Sequence, residues 1–306
     1  MKSLPIIIGS LIWLLSGIFY LPDAPFADSH VHFLLIAAPL WLVPLCYQLL
    51  GFKSSIIYCG VATGITFAVA YLLPQGMLAA ALVLPWWLLG AERAGRELLK
   101  PFGLNIKSLV RIAAFIFLLV GASWALLDRM GLSVMGFDPI IVLLTAVHFH
   151  FAGFLLTTLF YFSLAENKNR FSNLIGIGLL AGAPLVAIGI TGSQVGLPQI
   201  VESLCVSVMA LTGVGVGLLH LYLAFKSTDL LVKGLWLIGG LCLLAGMTLA
   251  LLYGWRAHHS LTFLTIPWMY AVHGTLNAVG FAIPALLGWS LTKRKNSEAR
   301  LTSNPN

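Results

Sequence analysis

His148 and His150 stand two residues apart in Thr145-Ala-Val-His-Phe-His-Phe-Ala-Gly-Phe154, inside an apolar run from Pro139 to about Ala165. A run of that length spans a bilayer, which takes roughly 20 residues. Ionisable groups at such a depth lose water and need protein partners or a wet pocket, so they mark functional candidates. Imidazole titrates near neutral pH and both takes and gives a proton. The chemistry it suggests is acid/base work on a lipophilic molecule: isomerisation, ring opening or cyclisation. Tyr270, His273 and Asn277 form a second set, spaced three and four residues apart on one face of a helix. Glu202 opens a third stripe that continues through Cys205, Met209, Gly213 and His220.

These residues define the expected roles. His148, His150, His273, Asn277 and Glu202 form the catalytic set, one histidine as base and another as acid, with Asn277 binding an oxygen. Tyr270, Thr145, Asp138 and His32 are the expected substrate-binding residues, and Glu202 or Asp138 would hold a histidine in one tautomer. His220, near the far end of its span, is expected to stay apart from them.

Metal chemistry is the weaker reading. On a helix His148 and His150 project about 200° apart, so they do not chelate one ion, and the HExxH pattern is absent. No metal or other cofactor is expected. Haem held by His273 and either His148 or His150 is the alternative. Cys46, Cys59, Cys205 and Cys242 all lie in apolar runs without CxxC spacing and read as small buried hydrophobes. Glycines such as Gly178 and Gly182 have the spacing that lets membrane helices pack closely. No strand precedes them, which excludes a dinucleotide-binding fingerprint.

The elements that must position these residues follow from composition. Of 306 residues 59% are hydrophobic and 9% charged, against about 25% charged in soluble domains. This is an all-α polytopic integral membrane protein. Apolar windows punctuated by Pro, Gly and charge give ten spans, at about 4–21, 32–50, 55–73, 75–90, 109–127, 139–165, 173–192, 198–225, 231–253 and 265–291. Residues 1–292 form a single transmembrane domain. Residues 293–306 are a polar tail expected to be disordered. Lys2 and the following apolar run lack an Ala-x-Ala site and read as a retained first helix.

The net charge of +7 is a membrane signal rather than a nucleic-acid one. Fifteen of 17 Lys and Arg fall on the N-terminal side of the alternating topology, and only Arg129 and Arg256 on the other. Positive charge marks the cytoplasmic side. Both termini are therefore expected inside, in the inner membrane of a bacterium. Ala91–Ser108 reads as a short interfacial helix whose basic residues meet anionic lipid. Membrane lipids and a lipophilic substrate are the expected partners.

With that topology, a rise of 1.5 Å per residue places His148 and His150 roughly 13–17 Å deep, and His273 and Asn277 roughly 12–18 Å deep. Two polar faces thus meet one slab of membrane. Asp28, His30, His32, Asp128 and Asp138 gather towards the outer side, where a cavity is expected to open.

Val147-His-Phe-His-Phe-Ala-Gly-Phe154 and Ala271-Val-His-Gly-Thr-Leu-Asn-Ala-Val-Gly-Phe281 resemble signature segments of YndJ-like bacterial membrane proteins. His32-Phe-Leu-Leu-Ile-Ala-Ala-Pro-Leu-Trp-Leu-Val-Pro44 resembles their early proline-containing helix. The resemblance implies a multi-span fold over most of the chain. Through the label such proteins commonly carry, it also implies transport, with His148, His150, His273 and Asn277 at the matching positions. A midplane His/Asn transport site is accordingly the alternative to the enzyme.

Overall fold

The computed structural model describes residues 4–303 except 102, 168 and 260, with side chains as far as 296. Among the described residues there are helices and no strands. Ten membrane-type helices follow one another: Leu4–Tyr20, Asp28–Leu49, Ser54–Ala70, Met77–Leu99, Ile106–Arg129, Pro139–Glu166, Arg170–Gln194, Gln199–Lys226, Leu230–Gly254 and Ile266–Asn296. Eight are long and apolar enough to cross a membrane. The first and third have 17 residues each. At 1.5 Å per residue they reach about 25 Å, short of a hydrocarbon core of about 30 Å. The third is cut short by the turn around Pro74 and Gly76.

Local chemistry fixes the ends. Asn105 caps the fifth helix by accepting from the Ser108 N–H at 3.0 Å, and Asn169 caps the seventh through Ser172 at 2.8 Å. Asp229 accepts from Leu231 and Val232 at the ninth. Each satisfies amides that the first turn leaves open. The fifth helix stops at Gly131, whose φ of +71° suits glycine.

Three expectations change. Of the four cysteines expected to be buried only Cys46 is, while Cys59 is exposed and Cys205 and Cys242 are half-buried. No separate interfacial helix forms over Ala91–Ser108; the fourth helix runs on to Leu99, through Pro85, as one element. Its last turns are tied by charge. Glu92 pairs with Arg93 and Arg96, while Glu97 takes Lys100 at 2.5 Å and Arg111 of the fifth helix at 2.9 Å. The tenth helix likewise continues past Lys293 to Ser303, where the sequence predicts a disordered tail. Lys295 pairs with Asp229, giving that extension an anchor.

Alternate loops meet at opposite ends of the bundle. At one end the Gly76 N–H bonds to Arg129 O at 2.8 Å, and Gln194 reaches Gly136 O at 3.2 Å. At the other, Lys293 bonds to Leu49 O and the Arg93 guanidinium lies over Phe52. Most of the basic residues gather at this second end, here called the basic end.

The second helix forms the centre, with almost all of its apolar stretch buried. Three helices carry π-helical turns: Ala38–Leu42 in the second, Phe149–Leu155 in the sixth, and Met269–Gly274 with Leu276–Ala282 in the tenth. Such turns add a residue to the helical repeat and re-aim the side chains beyond it. In the second helix Pro39 removes a backbone donor within the wide turn. The helices beside that turn approach through glycine. A Cβ on Gly9 would stand 2.0 Å from Leu40 O, and one on Gly64 would stand 2.3 Å from Pro39 O.

Candidate functional site

His148 and His150 part company, as their spacing on a helix requires. The His148 ring faces a cavity of about 320 Å³ and is exposed there. This volume suits a small molecule. Across from it stands His273, the two rings 6.5 Å apart between centroids and 25° from parallel. The sixth and tenth helices thus bring together the two faces that depth alone had set level.

Hydrogen bonds fix how each ring presents itself. His148 Nδ1 donates to Leu144 O at 2.7 Å, one turn back on its own helix. In the neutral ring this leaves the lone pair on Nε2. His273 Nδ1 donates across to Gly246 O of the ninth helix at 2.8 Å. Asn277 Nδ2 lies 3.2 Å from the His273 Nδ1 and 3.1 Å from its Nε2, so the amide rests against the ring. Asn277 Oδ1 is buried without a protein partner.

The remaining walls are largely apolar, from the second, sixth, seventh, eighth, ninth and tenth helices. Thr145, Tyr270 and Glu202 also line this cavity. Thr145 spends its hydroxyl hydrogen on Ile141 O at 2.7 Å and retains an accepting oxygen. Tyr270 donates to Phe26 O, which ties the start of the tenth helix to the segment before the second. Glu202 is buried and fully engaged. It takes Arg256 at 2.7 Å and Ser193 Oγ at 2.6 Å, making it one half of an ion pair rather than a free base. Burial opposes the charge on Arg256, but bonding to Glu202 outweighs it and raises the guanidinium pKa above its ordinary value.

Arg256 and Tyr253 border the cavity too, and sequence reasoning missed both. The guanidinium lies over the Tyr253 ring, 4.4 Å from its centroid. One signal was available, because Glu202 was the lone carboxylate in its span and Arg256 one of two basic residues at that end.

Three expected site residues are not brought to the cavity. His150 is fully buried on the far side of the sixth helix. Its Nδ1 donates to Ala146 O at 2.8 Å and its Nε2 accepts from Trp86 Nε1 at 3.1 Å, with the Phe67 ring against it. His32 packs edge-on to Tyr20 and Tyr71. Asp138 sits at the start of the sixth helix without capping it through its side chain. Among the described residues no three His, Cys, Asp or Glu side chains gather as a metal site would require.

A sequence model of the family described as YndJ-like protein matches residues 33–281, a range that holds every polar residue of the cavity named above. A relative from Bacillus subtilis (strain 168), named uncharacterized membrane protein YndJ, is 28% identical over 222 residues. The alignment covers 70% of this chain and 39% of the relative, so the chain spans about two fifths of that protein's length. No solved structure matches.

Proposed function

The chain belongs to the YndJ-like family of multi-pass membrane proteins, and from that premise we propose that its cavity is a catalytic site within the membrane, where His148 moves a proton on a lipophilic small molecule. The observation that carries this reading is the His148 ring itself, pinned at Nδ1 by Leu144 O and set in the wall of a mostly apolar cavity; in its neutral form Nε2 carries the lone pair. Such a nitrogen is a base at neutral pH.

His273 spends Nδ1 on Gly246 O and has the Asn277 amide against its ring, which favours His148 as a single base over the expected acid and base pair. Nε2 of His148 takes a proton from a C–H or O–H beside an electron-withdrawing group. The imidazolium then returns that proton to another atom of the same molecule. No electron leaves and no atom is lost, so the product is an isomer, with a shifted double bond or an opened or closed ring. The second N–H of Asn277 is available to a substrate oxygen, and His273 holds that amide in place. His150, hydrogen-bonded to Trp86, serves the fold. The protein lies in a bacterial inner membrane with its basic end cytoplasmic, in keeping with the distribution of Lys and Arg.

The test uses the purified protein in vesicles of a bacterial total lipid extract, incubated in D2O and read by mass spectrometry. Wild type is expected to yield a lipophilic species that is deuterated or isomerised. His148→Gln yields none, and His150→Gln yields as much per folded molecule as wild type. A product formed equally by His148→Gln, or no product from wild type, overturns the reading.

A second reading, carriage of the same class of molecule, draws support from the π-helical turns in three of the helices that line the cavity. Carriers place irregular helices around midplane sites. Counterflow of a labelled product across vesicles would distinguish it.

A further inference from the structure

Beneath the cavity, towards the basic end, the sixth, eighth, ninth and tenth helices continue side by side and carry a line of buried polar atoms that no protein group satisfies. Phe281 lines the cavity and turns its ring edge-on to His220, 5.2 Å between centroids. His220 is fully buried, donates from Nδ1 to Val216 O at 2.9 Å, and has no partner at Nε2. Further down, Trp236 and Trp289 stand 5.0 Å apart, both buried and both with unpartnered indole N–H groups. The Trp236 Nε1 lies against the tenth helix, 2.5 Å from where a Cβ on Gly288 would be. Trp289 meets Phe162 at 5.8 Å, and Thr158, one turn from Phe162 on the same face, has an unpartnered hydroxyl. Lys293 closes the line at the basic end with its ammonium 4.9 Å from the Phe162 ring centroid.

Buried polar atoms find partners in nearly all proteins, and internal water supplies those that protein groups do not. Other such atoms lie on the first three helices, but those of Thr158, His220, Trp236 and Trp289 follow one another along this single seam of four helices. The contrast with His150 and Trp86 is direct. Those two are as deeply buried, yet they satisfy each other.

We propose that this seam is a water-filled proton path leading from the basic end, past Trp289, Trp236 and His220, to the cavity floor, with Phe281 as the barrier between them. His220 Nε2 takes a proton from the water on one side and gives it up to the next, so the path moves protons without net chemistry. Lys293 of the tenth helix, Cys46 of the second, which interacts with it, and Cys242 of the ninth, which packs against Gly280, are titratable groups close to it.

Hydroxyl-radical footprinting of the wild-type protein reads buried water directly and needs neither substrate nor variant. Trp236, Trp289 and His220 should be oxidised several-fold faster than Trp86 and His150. Equal rates would mean a dry seam and overturn the proposal. Proteoliposomes with an entrapped pH dye give the second measurement. Phe281→Ala should pass protons several-fold faster than wild type, and His220→Gln added to it should remove the increase. No increase with Phe281→Ala, or an increase that His220→Gln leaves intact, overturns the proton path. Neither readout depends on turnover in the cavity, so failure of the catalytic reading and failure of this one are separable.

Discussion

Gly246 supports the site by having no side chain. Its carbonyl receives His273 Nδ1, and a Cβ on it would fall 2.5 Å from Asn277 Oδ1. Gly246→Ala therefore swings the Asn277 amide off His273. The end of a flexible side chain yields cheaply, so the melting temperature should move little. Displacement of a positioning group by about 1 Å can cost about 100-fold in rate, and turnover should fall by that order, measured with the vesicle assay on size-exclusion-purified protein. Much of this site was legible in the sequence. Helical spacing put Tyr270, His273 and Asn277 on one face, and the rise per residue set them level with His148. Arg256 was legible only as a basic residue at the same end as Glu202; its place at the cavity was not, because it lies beyond the ninth helix, where hydropathy carries no information about which way the chain folds back. The tie between His273 Nδ1 and Gly246 was also hidden. It depends on a carbonyl from a helix that neither motif mentions.

Helix number and order could be read from apolar runs because charges, prolines and glycines separate them, although the first and third helices fall short of a full span. The π-helical turns could not, since a hydropathy window counts residues and is blind to hydrogen-bond register. Face arguments assume 3.6 residues per turn, and Phe149–Leu155 departs from it one residue after His148. The short contact between the second helix and its neighbours is likewise a tertiary fact. Gly9 and Gly64 press on the Leu40 and Pro39 carbonyls from two sides. Those atoms are backbone and cannot rotate away. Gly64→Ala should lower stability by about 1–3 kcal/mol, the usual cost of overpacking, seen as a lower melting temperature in detergent. Gly234→Ala is the control. It has nothing within 4 Å and should leave the melt unchanged or slightly raised.

At the scale of the whole molecule, the loops alternate between two ends, and the basic residues choose one. In a cysteine-free background, Ser133→Cys at the opposite end should react with an impermeant maleimide on intact cells, and Thr228→Cys at the basic end should react only after lysis. Labelling in the reverse pattern would invert the orientation drawn from charge. The two basic residues at the sparse end have a shared property. Arg129 pairs with Asp128 at 2.8 Å, and Arg256 pairs with Glu202 at 2.7 Å. A single positive charge exported against a resting potential of 100 mV, negative inside, costs about 2.3 kcal/mol. Each arginine brought across with its carboxylate carries no net charge through that field. The field then acts at that end on the carboxylates left over, Asp23, Asp28 and Asp138, and with the basic end cytoplasmic a potential negative inside favours insertion of this chain that way round.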